Sequence, residues 1–395
     1  MRTTVSMLTL SFLFACSDDG TFSANTDAAT TSGSGAPVTG SPEGSSGGNQ
    51  TGTPTSASAG SSGENESDTA TDPTVATTDP TGSETDSSDG DRTGGELLEG
   101  CPEGPFADTP LPRANVVAEA FDNTSTAEGS GGLLEGPVWW NGALHLSHFW
   151  SSQQPPPANL LRYDGAGLVV AFAQSGTNGL AIGVDGGLVA AEHQAGAISA
   201  FDLDAGTRTP IADSFEGQRF NSPNDLTVRS DGTIYFTDPD YQAPDPNPQP
   251  VTGVYRVAPD GTVELFESGL GQPNGVSLSP AEDALYVTHL GGMMRYDVMA
   301  DGTVATPGTS FGSVSGGDGM AVDCAGNLYV TVHSQGRVAV LSPTAEDLGQ
   351  IDVAPQVTNA AFGGDDMQTL YITAGNPEAG NALYSVDLQI PGLPY

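Results

Sequence analysis

Six oxygen-bearing side chains recur along the chain, each at or just before a short apolar run: Glu135, Asn178, Asn224, Asn274, Asp318 and Asn359. The intervals between them are 43, 46, 50, 44 and 41 residues. Carboxylates mixed with amide oxygens, without sulfur, suit a hard cation with flexible coordination. Calcium fits best, and magnesium, zinc and manganese are the alternatives. In this reading Glu135 and Asp318 neutralise the ion while Asn224 and Asn274 offer amide oxygens. The competing explanation is that Asn and Asp begin these strands only as turn residues. It accounts for Asn178 and Asn359, and less well for a glutamate at 135.

A period near 45 with strand-like content is the signature of a β-propeller, which brings equivalent positions of every blade to one axis. The third unit shows the pattern best: Asn224 to Val228, the turn Ser230-Asp231-Gly232, then Thr233 to Thr237. Asp-Gly between two apolar runs is a strong hairpin signal. Equivalent second and third strands follow in the other five units, so the sequence predicts an all-β, six-bladed propeller. The run Asn115 to Phe121 has no hairpin partner nearby and is expected to pair with the last blade and close the ring. Just past the second strands stand His148, His193, Asp238, His289 and His333. An antiparallel return would bring them to the face that carries the oxygen ring.

The ends and the composition bound the rest. Residues 1–16 read as a signal: Met1-Arg2, an apolar stretch from Val5 to Ala15 too short to span a bilayer, then Leu13-Phe14-Ala15-Cys16. That ending resembles a bacterial lipoprotein signal with Cys16 as the lipid anchor; a plain secretory signal is the alternative. Residues 17–100 are Ser, Thr, Gly, Asp and Pro with few large apolar side chains, so they read as a disordered tether. The propeller takes residues 101–395. It holds 34 acidic residues against 8 Arg, in a chain with no Lys and a net charge of −39. Such a surface repels nucleic acid and anionic lipid, so membrane contact is expected only through the lipid. Cys101 and Cys324 are an even pair in an oxidising compartment, which points to a disulfide, with two free thiols the alternative.

Several stretches resemble the gluconolactonase/senescence-marker-protein/diisopropyl-fluorophosphatase group of six-bladed propellers. They are Leu134-Glu135-Gly136-Pro137-Val138-Trp139, the run from Arg219 to Asp225 that continues from Ser230 to Pro239, Gln272 to Val276, and Gly317 to Asp323. Each is weak alone, but in this order and at blade spacing they are specific. The resemblance implies one catalytic divalent metal held by Glu135, Asn224, Asn274 and Asp318, and places no ligand at Asn178 or Asn359. It puts Arg219 and Asp225 near the substrate pocket, and matches Glu192-His193 to a Glu-His common after the second strand of blade two. His193, His289 and His333 are then candidate substrate contacts.

The implied activity is hydrolysis of a lactone, foremost a sugar aldonolactone, by a monomer whose Asp318 or Asp225 accepts the proton of the attacking water. A phosphotriester or aryl-ester hydrolase on the same metal and a non-catalytic, surface-displayed binding propeller are the alternatives. The long proline-rich loop from Asp238 to Thr252 departs from the family pattern and is expected to alter the lid of the pocket.

Overall fold

The computed structural model describes residues 100–121, 132–149, 155–376 and 380–393. The expected signal, the lipid anchor Cys16 and nearly all of the tether lie outside the described residues.

Among the described residues the strands form six four-stranded antiparallel sheets. Blade one holds β2 (Leu133–Trp140), β3 (Ala143–Phe149), β4 (Ala158–Tyr163) and β5 (Leu168–Phe172). Blade two holds β6 (Leu180–Ile182), β7 (Leu188–Glu192), β8 (Ala197–Asp202) and β9 (Thr207–Ala212). Blade three holds β10 (Leu226–Val228), β11 (Ile234–Asp238), β12 (Gly253–Val257) and β13 (Val263–Glu267). Blade four holds β14 (Val276–Leu278), β15 (Ala284–His289), β16 (Gly292–Asp297) and β17 (Thr309–Ser310). Blade five holds β18 (Gly317–Val322), β19 (Leu328–Val332), β20 (Arg337–Leu341) and β21 (Asp347–Asp352). Blade six is made of β22 (Val357–Gly363), β23 (Thr369–Asn376), β24 (Gly380–Asp387) and, from the other end of the chain, β1 (Val117–Phe121).

This last pairing places Val117 opposite Ser385 and Phe121 opposite Ala382. The expected closure by residues 115–121 therefore holds, with the strand confined to Val117–Phe121. The strand nearest the N-terminus thus becomes the outermost strand of the last blade, and its pairing with β24 ties the two ends of the propeller chain together.

Short hairpins set the blade geometry. At their tips an aspartate accepts the backbone N–H two residues on: Asp185 from Gly187 at 2.9 Å, Asp231 from Thr233 at 2.9 Å, Asp260 from Thr262 at 2.9 Å and Asp301 from Thr303 at 3.0 Å. Such Asx turns satisfy a donor that the ladder cannot reach. Between blades, apolar faces such as Leu226, Ile234, Phe236 and Tyr255 against Ala181, Val189 and Ile198 form the core.

Hydroxyls near the axis lock neighbouring blades together. Ser147 on β3 donates to the Asn178 carbonyl at 2.6 Å, Thr237 on β11 to Asn274 at 2.5 Å and Thr288 on β15 to Asp318 at 2.6 Å. Thr331 on β19 donates to Thr358 at 2.6 Å, and Thr358 in turn to Leu134 at 2.5 Å. In blade two Ala191 stands at the corresponding place. There the backbone makes the link itself, from the Gly179 N–H to the Asn224 carbonyl at 2.7 Å.

Cys101 and Cys324, 223 positions apart in sequence, are joined in a disulfide with Cα atoms 5.6 Å apart. Beside it the Cys324 N–H donates to Pro391 O at 2.8 Å and the Leu393 N–H to Val322 O at 2.9 Å. The segment before β1 and the segment after β24 are thus both fastened to blade five. A bridge closing so long a loop restricts the unfolded chain strongly. Replacing both cysteines by serine should lower unfolding free energy by about 2–4 kcal/mol in a urea titration while the six-bladed fold remains.

Candidate active site at the axis

The six ring positions lie where the innermost strands begin. Asn178, Asn224 and Asn274 share one register: their N–H groups donate to the carbonyls of Ala191, Thr237 and Thr288 at 2.8, 2.9 and 2.8 Å. In blades one, five and six the ladder is interrupted at the ring, between Glu135 and Val138, Gly317 and Met320, and Val357 and Ala360. A bulge bends the strand and re-aims its side chains. It does so here at Glu135, Asp318 and Asn359.

Backbones come very close at this level. A β-carbon on Gly136 would lie 2.1 Å from Asn178 O, and one on Gly179 would lie 2.7 Å from Asn224 O, so only glycine fits. The residue after the ring position is glycine in four blades, Ala360 in blade six and Asp225 in blade three. A carboxylate therefore stands where most blades have no side chain at all.

Glu135, Asp225 and Asp318 act on one another across the axis. Burial pushes the Glu135 carboxyl well above its ordinary range, the Asp318 charge adds to this, and the Gly136 N–H at 2.9 Å only partly offsets it. Burial likewise pushes Asp225 up to about 7, although it accepts from the Leu226 N–H at 3.0 Å and the Asn359 amide at 3.4 Å. His333 sits with Nδ1 3.0 Å from Val357 O and 3.4 Å from Asp318 Oδ2. A carbonyl only accepts, so Nδ1 carries the proton. Burial lowers the His333 pKa, but the Asp318 carboxylate and the Val357 carbonyl together outweigh it and raise it.

The two remaining amides differ. Asn359 is engaged, its Oδ1 accepting the Ala360 N–H at 2.8 Å and its Nδ2 donating to Asp225. Asn178 is 1 % exposed, and neither Oδ1 nor Nδ2 has a hydrogen-bond partner. Below the ring a cavity of about 30 Å³, walled by Asp225, Asn359 and apolar residues such as Leu226, Val276 and Met320, holds no more than about two waters.

Among the described residues no three His, Cys, Asp or Glu side chains are gathered into a metal-holding group. The donor set on the axis is instead carboxylates mixed with amides. The charges acting on Glu135 and Asp225 are other carboxylates, none of them basic. Concentrated negative charge with amide oxygens, one amide wholly unpartnered, fits a hard divalent cation.

Three of the expected substrate contacts have partners within the protein. His193 is fully buried, donates from Nε2 to Pro156 O at 2.8 Å and packs edge-on against Phe149, so it presents no surface to a ligand. Arg219 uses its guanidinium on the carbonyls of Phe220, His193, Asn221 and Gln194, at 2.9, 3.1, 3.2 and 3.4 Å. It staples blade two to the segment entering blade three. His289 is half-buried, its Nδ1 accepting the Gly291 N–H at 3.1 Å within the turn between β15 and β16. Nor do the four histidines share one register. His148 and His289 follow the axial hydroxyls Ser147 and Thr288 by one residue, whereas His193 and His333 stand two past Ala191 and Thr331. One step along a strand turns a side chain to the other face. Of the expected histidines, His333 is the one that meets a ring carboxylate.

The residues that hold the ring's approach segments were not found by sequence reasoning: Asn221, Asp238 and Gln249, all buried and polar. Asn221 and Asp238 lie in stretches already singled out. Gln249 has no local signal.

Six blades closed into a ring, with carboxylates and amides at the head of the inner strands, define the class: a six-bladed propeller with a candidate site on its axis. Residues 133–376 match the model of the SMP-30/Gluconolactonase/LRE-like region, and the chain belongs to that family. It is 33 % identical over 278 residues to a gluconolactonase of Zymomonas mobilis, covering 61 % of this chain and 76 % of that one. It is 30 % identical over 169 residues to a pentonolactonase of Haloferax volcanii, covering 36 % of this chain and 56 % of that one. A solved gluconolactonase of Xanthomonas campestris superposes with a TM-score of 0.57 at 29 % identity, over 73 % of this chain and 98 % of that one. A regucalcin of Agrobacterium tumefaciens, at 20 % identity and a TM-score of 0.56, shares the fold over 69 % of this chain and 96 % of that one.

Burial fixes the protonation of two histidines away from the ring. His193, and His145 packed edge-on against Trp140, are each pushed down to about 4 by desolvation. An unfolded histidine titrates near 6.5. Between these values the unfolded chain binds more protons than the native one, so this contribution to stability is lost as pH falls from about 6.5 to about 4. The thermal midpoint of His145→Leu, relative to the unmodified protein, should rise steadily over that range. A difference that does not change with pH would contradict a neutral buried imidazole.

Proposed function

We propose that the protein hydrolyses a lactone, foremost a sugar aldonolactone, at the axial ring with the help of a divalent cation, calcium first. The observation that carries this reading is the mutual approach of Glu135, Asp225 and Asp318 at the axis, in a ring whose equivalent positions in blades three and four are Asn224 and Asn274. Relatives named gluconolactonase and pentonolactonase support the substrate class.

Glu135, Asn224, Asn274 and Asp318 would hold the cation. When bound, it supplies a Lewis acid for the lactone carbonyl oxygen and offsets the ring's negative charge. The chain's own residues do the remainder. Asp225, fixed by the Leu226 N–H and the Asn359 amide and pushed up to about 7, is matched to take a proton near neutral pH. It takes one from the water whose oxygen attacks the carbonyl carbon. It returns that proton to the ring oxygen as the C–O bond of the lactone breaks, leaving a hydroxy acid. His333 orients Asp318 through Nδ1.

We also place the activity outside the cytoplasm, with Cys16 as the lipid anchor and residues 17–100 as the tether to the cell envelope. The Cys101–Cys324 disulfide supports an oxidising compartment.

Glu135→Gln, Asn224→Ala, Asn274→Ala and Asp318→Asn should each weaken calcium binding in a calorimetric titration and lower lactone turnover with it. Asp225→Asn should lower kcat by about 100-fold or more while calcium affinity changes little. If Asp318→Asn loses far more activity than affinity and Asp225→Asn does not, the proton goes to Asp318. Undiminished turnover after chelation, read by proton release on an aldonolactone, would overturn the metal-assisted reading.

A further inference from the structure

The connection from β11 to β12, residues 239–252, is rich in proline and carries exposed residues at its tip, as a mobile lid would. Its contacts are those of a brace. Gln249 is 4 % exposed, and its Nε2 donates toward the carbonyls of Gln218, Phe215 and Arg219 at 3.0, 3.1 and 3.2 Å. The Gln249 N–H donates to Asn221 Oδ1 at 2.9 Å, and Asn221 Nδ2 returns a bond to Val251 O at 3.0 Å. Ser222 Oγ donates to Pro239 O at 2.7 Å and accepts the Gln242 N–H at 3.3 Å. Directly before the loop, the buried Asp238 carboxylate accepts the N–H groups of Asn221 and Ser222 at 2.8 and 2.7 Å.

All of these bonds fall on residues 215–222, the irregular segment that delivers Asn224 and Asp225 to the ring without a strand of its own. The loop also grips the neighbouring blade. The Asp240 N–H donates to Gln272 Oε1 at 3.1 Å, and Gln272 Nε2 donates back to the Asp240 carboxylate. Gln272 has a left-handed backbone, φ 52°, and stands two residues before Asn274. One loop thus holds the approach segments of two of the amide ring residues, Asn224 and Asn274, on adjacent blades. Irregular backbone keeps a defined geometry only where side chains satisfy its polar groups. Here those side chains come from residues 238–249 and from the two segments themselves.

We propose that residues 239–252 are a fixed brace that sets the spacing of Asn224 and Asn274, with Gln249 and Asp240 as its positioning residues. Neither touches the reacting atoms; each acts through the segment it holds. The inference rests on the reading of Asn224 and Asn274 as ring donors. A donor displaced by about 1 Å costs on the order of 100-fold in rate even when the change is remote from the chemistry.

The test uses Gln249→Ala, Gln249→Glu and Asp240→Ala in the full chain, with Val251→Ala as the control, a half-exposed side chain on the same loop whose part in the network is its backbone carbonyl. Amide hydrogen exchange is read first, because it needs no turnover. Residues 219–225 in the Gln249 variants, and 272–275 in Asp240→Ala, should exchange about 10-fold faster or more, with 133–140 and 357–363 unchanged. Calcium affinity should fall about 3- to 10-fold and lactone kcat about 10-fold or more, with a smaller change in KM. Gln249→Glu should be worse than Gln249→Ala, since a carboxylate oxygen would face three carbonyls. Val251→Ala should match the unmodified protein throughout. Unchanged exchange at both segments would overturn the brace, and so would a uniform rise in exchange across all six blades. If the unmodified protein turned over no lactone, the lactonase reading would fail, while the exchange data would still decide the brace.

Discussion

The close approach of backbones around the axis governs this structure. At Gly136 and Gly179 the chain runs against the carbonyl of the next blade, with no room for a β-carbon. Hydroxyls of Ser147, Thr237, Thr288 and Thr331 on second strands, and of Thr358 on the innermost strand of blade six, bond carbonyls of the next blade. A ring this tight cannot be adjusted one blade at a time, because moving one inner strand breaks bonds to both neighbours. It also forces the side chains at its upper rim to converge, whatever they are. Six small-period repeats thus become one site.

Convergence has an electrostatic consequence. Asp225 occupies a place that is glycine in most blades, so a third carboxylate joins Glu135 and Asp318 where water is largely excluded. Burial and mutual repulsion raise both Glu135 and Asp225, and no arginine compensates them. A cation or a proton relieves such an arrangement. Around it, buried polar side chains such as Asp238 and Asn221 satisfy backbone groups that no strand pairs, and so hold irregular segments still.

Much of this was legible in the chain. Alternation of apolar residues with Asp-Gly turns at a 45-residue period specifies inner strands and hairpins locally, because both depend on near neighbours. The ring positions followed from that period, and so did closure by the run ending at Phe121, which had no local partner. The outermost strands did not. Thr207 to Ile211 on β9 is exposed at every residue and carries no apolar pattern, so only pairing to β8 makes it a strand. The surroundings of the histidines were not legible either: His193 and His333 share one spacing, two places past Ala191 and Thr331, yet His193 bonds the Pro156 carbonyl while His333 lies against Asp318.

By itself the sequence determined the number of blades, the oxygen-bearing residue that heads each one and the excess of acid over base, since these depend on local pattern and composition. Tertiary structure decided which of those residues act together. Asn359 reaches Asp225 from 134 positions away, His333 meets Asp318 across a bulge, and Gln249 grips carbonyls some thirty residues earlier. Arg219 and His193 bond backbone carbonyls of neighbouring segments, partners that their positions in the chain do not announce. Contacts of that kind are set by ring closure and by the few tenths of an ångström available between neighbouring backbones, and no spacing along the chain records them.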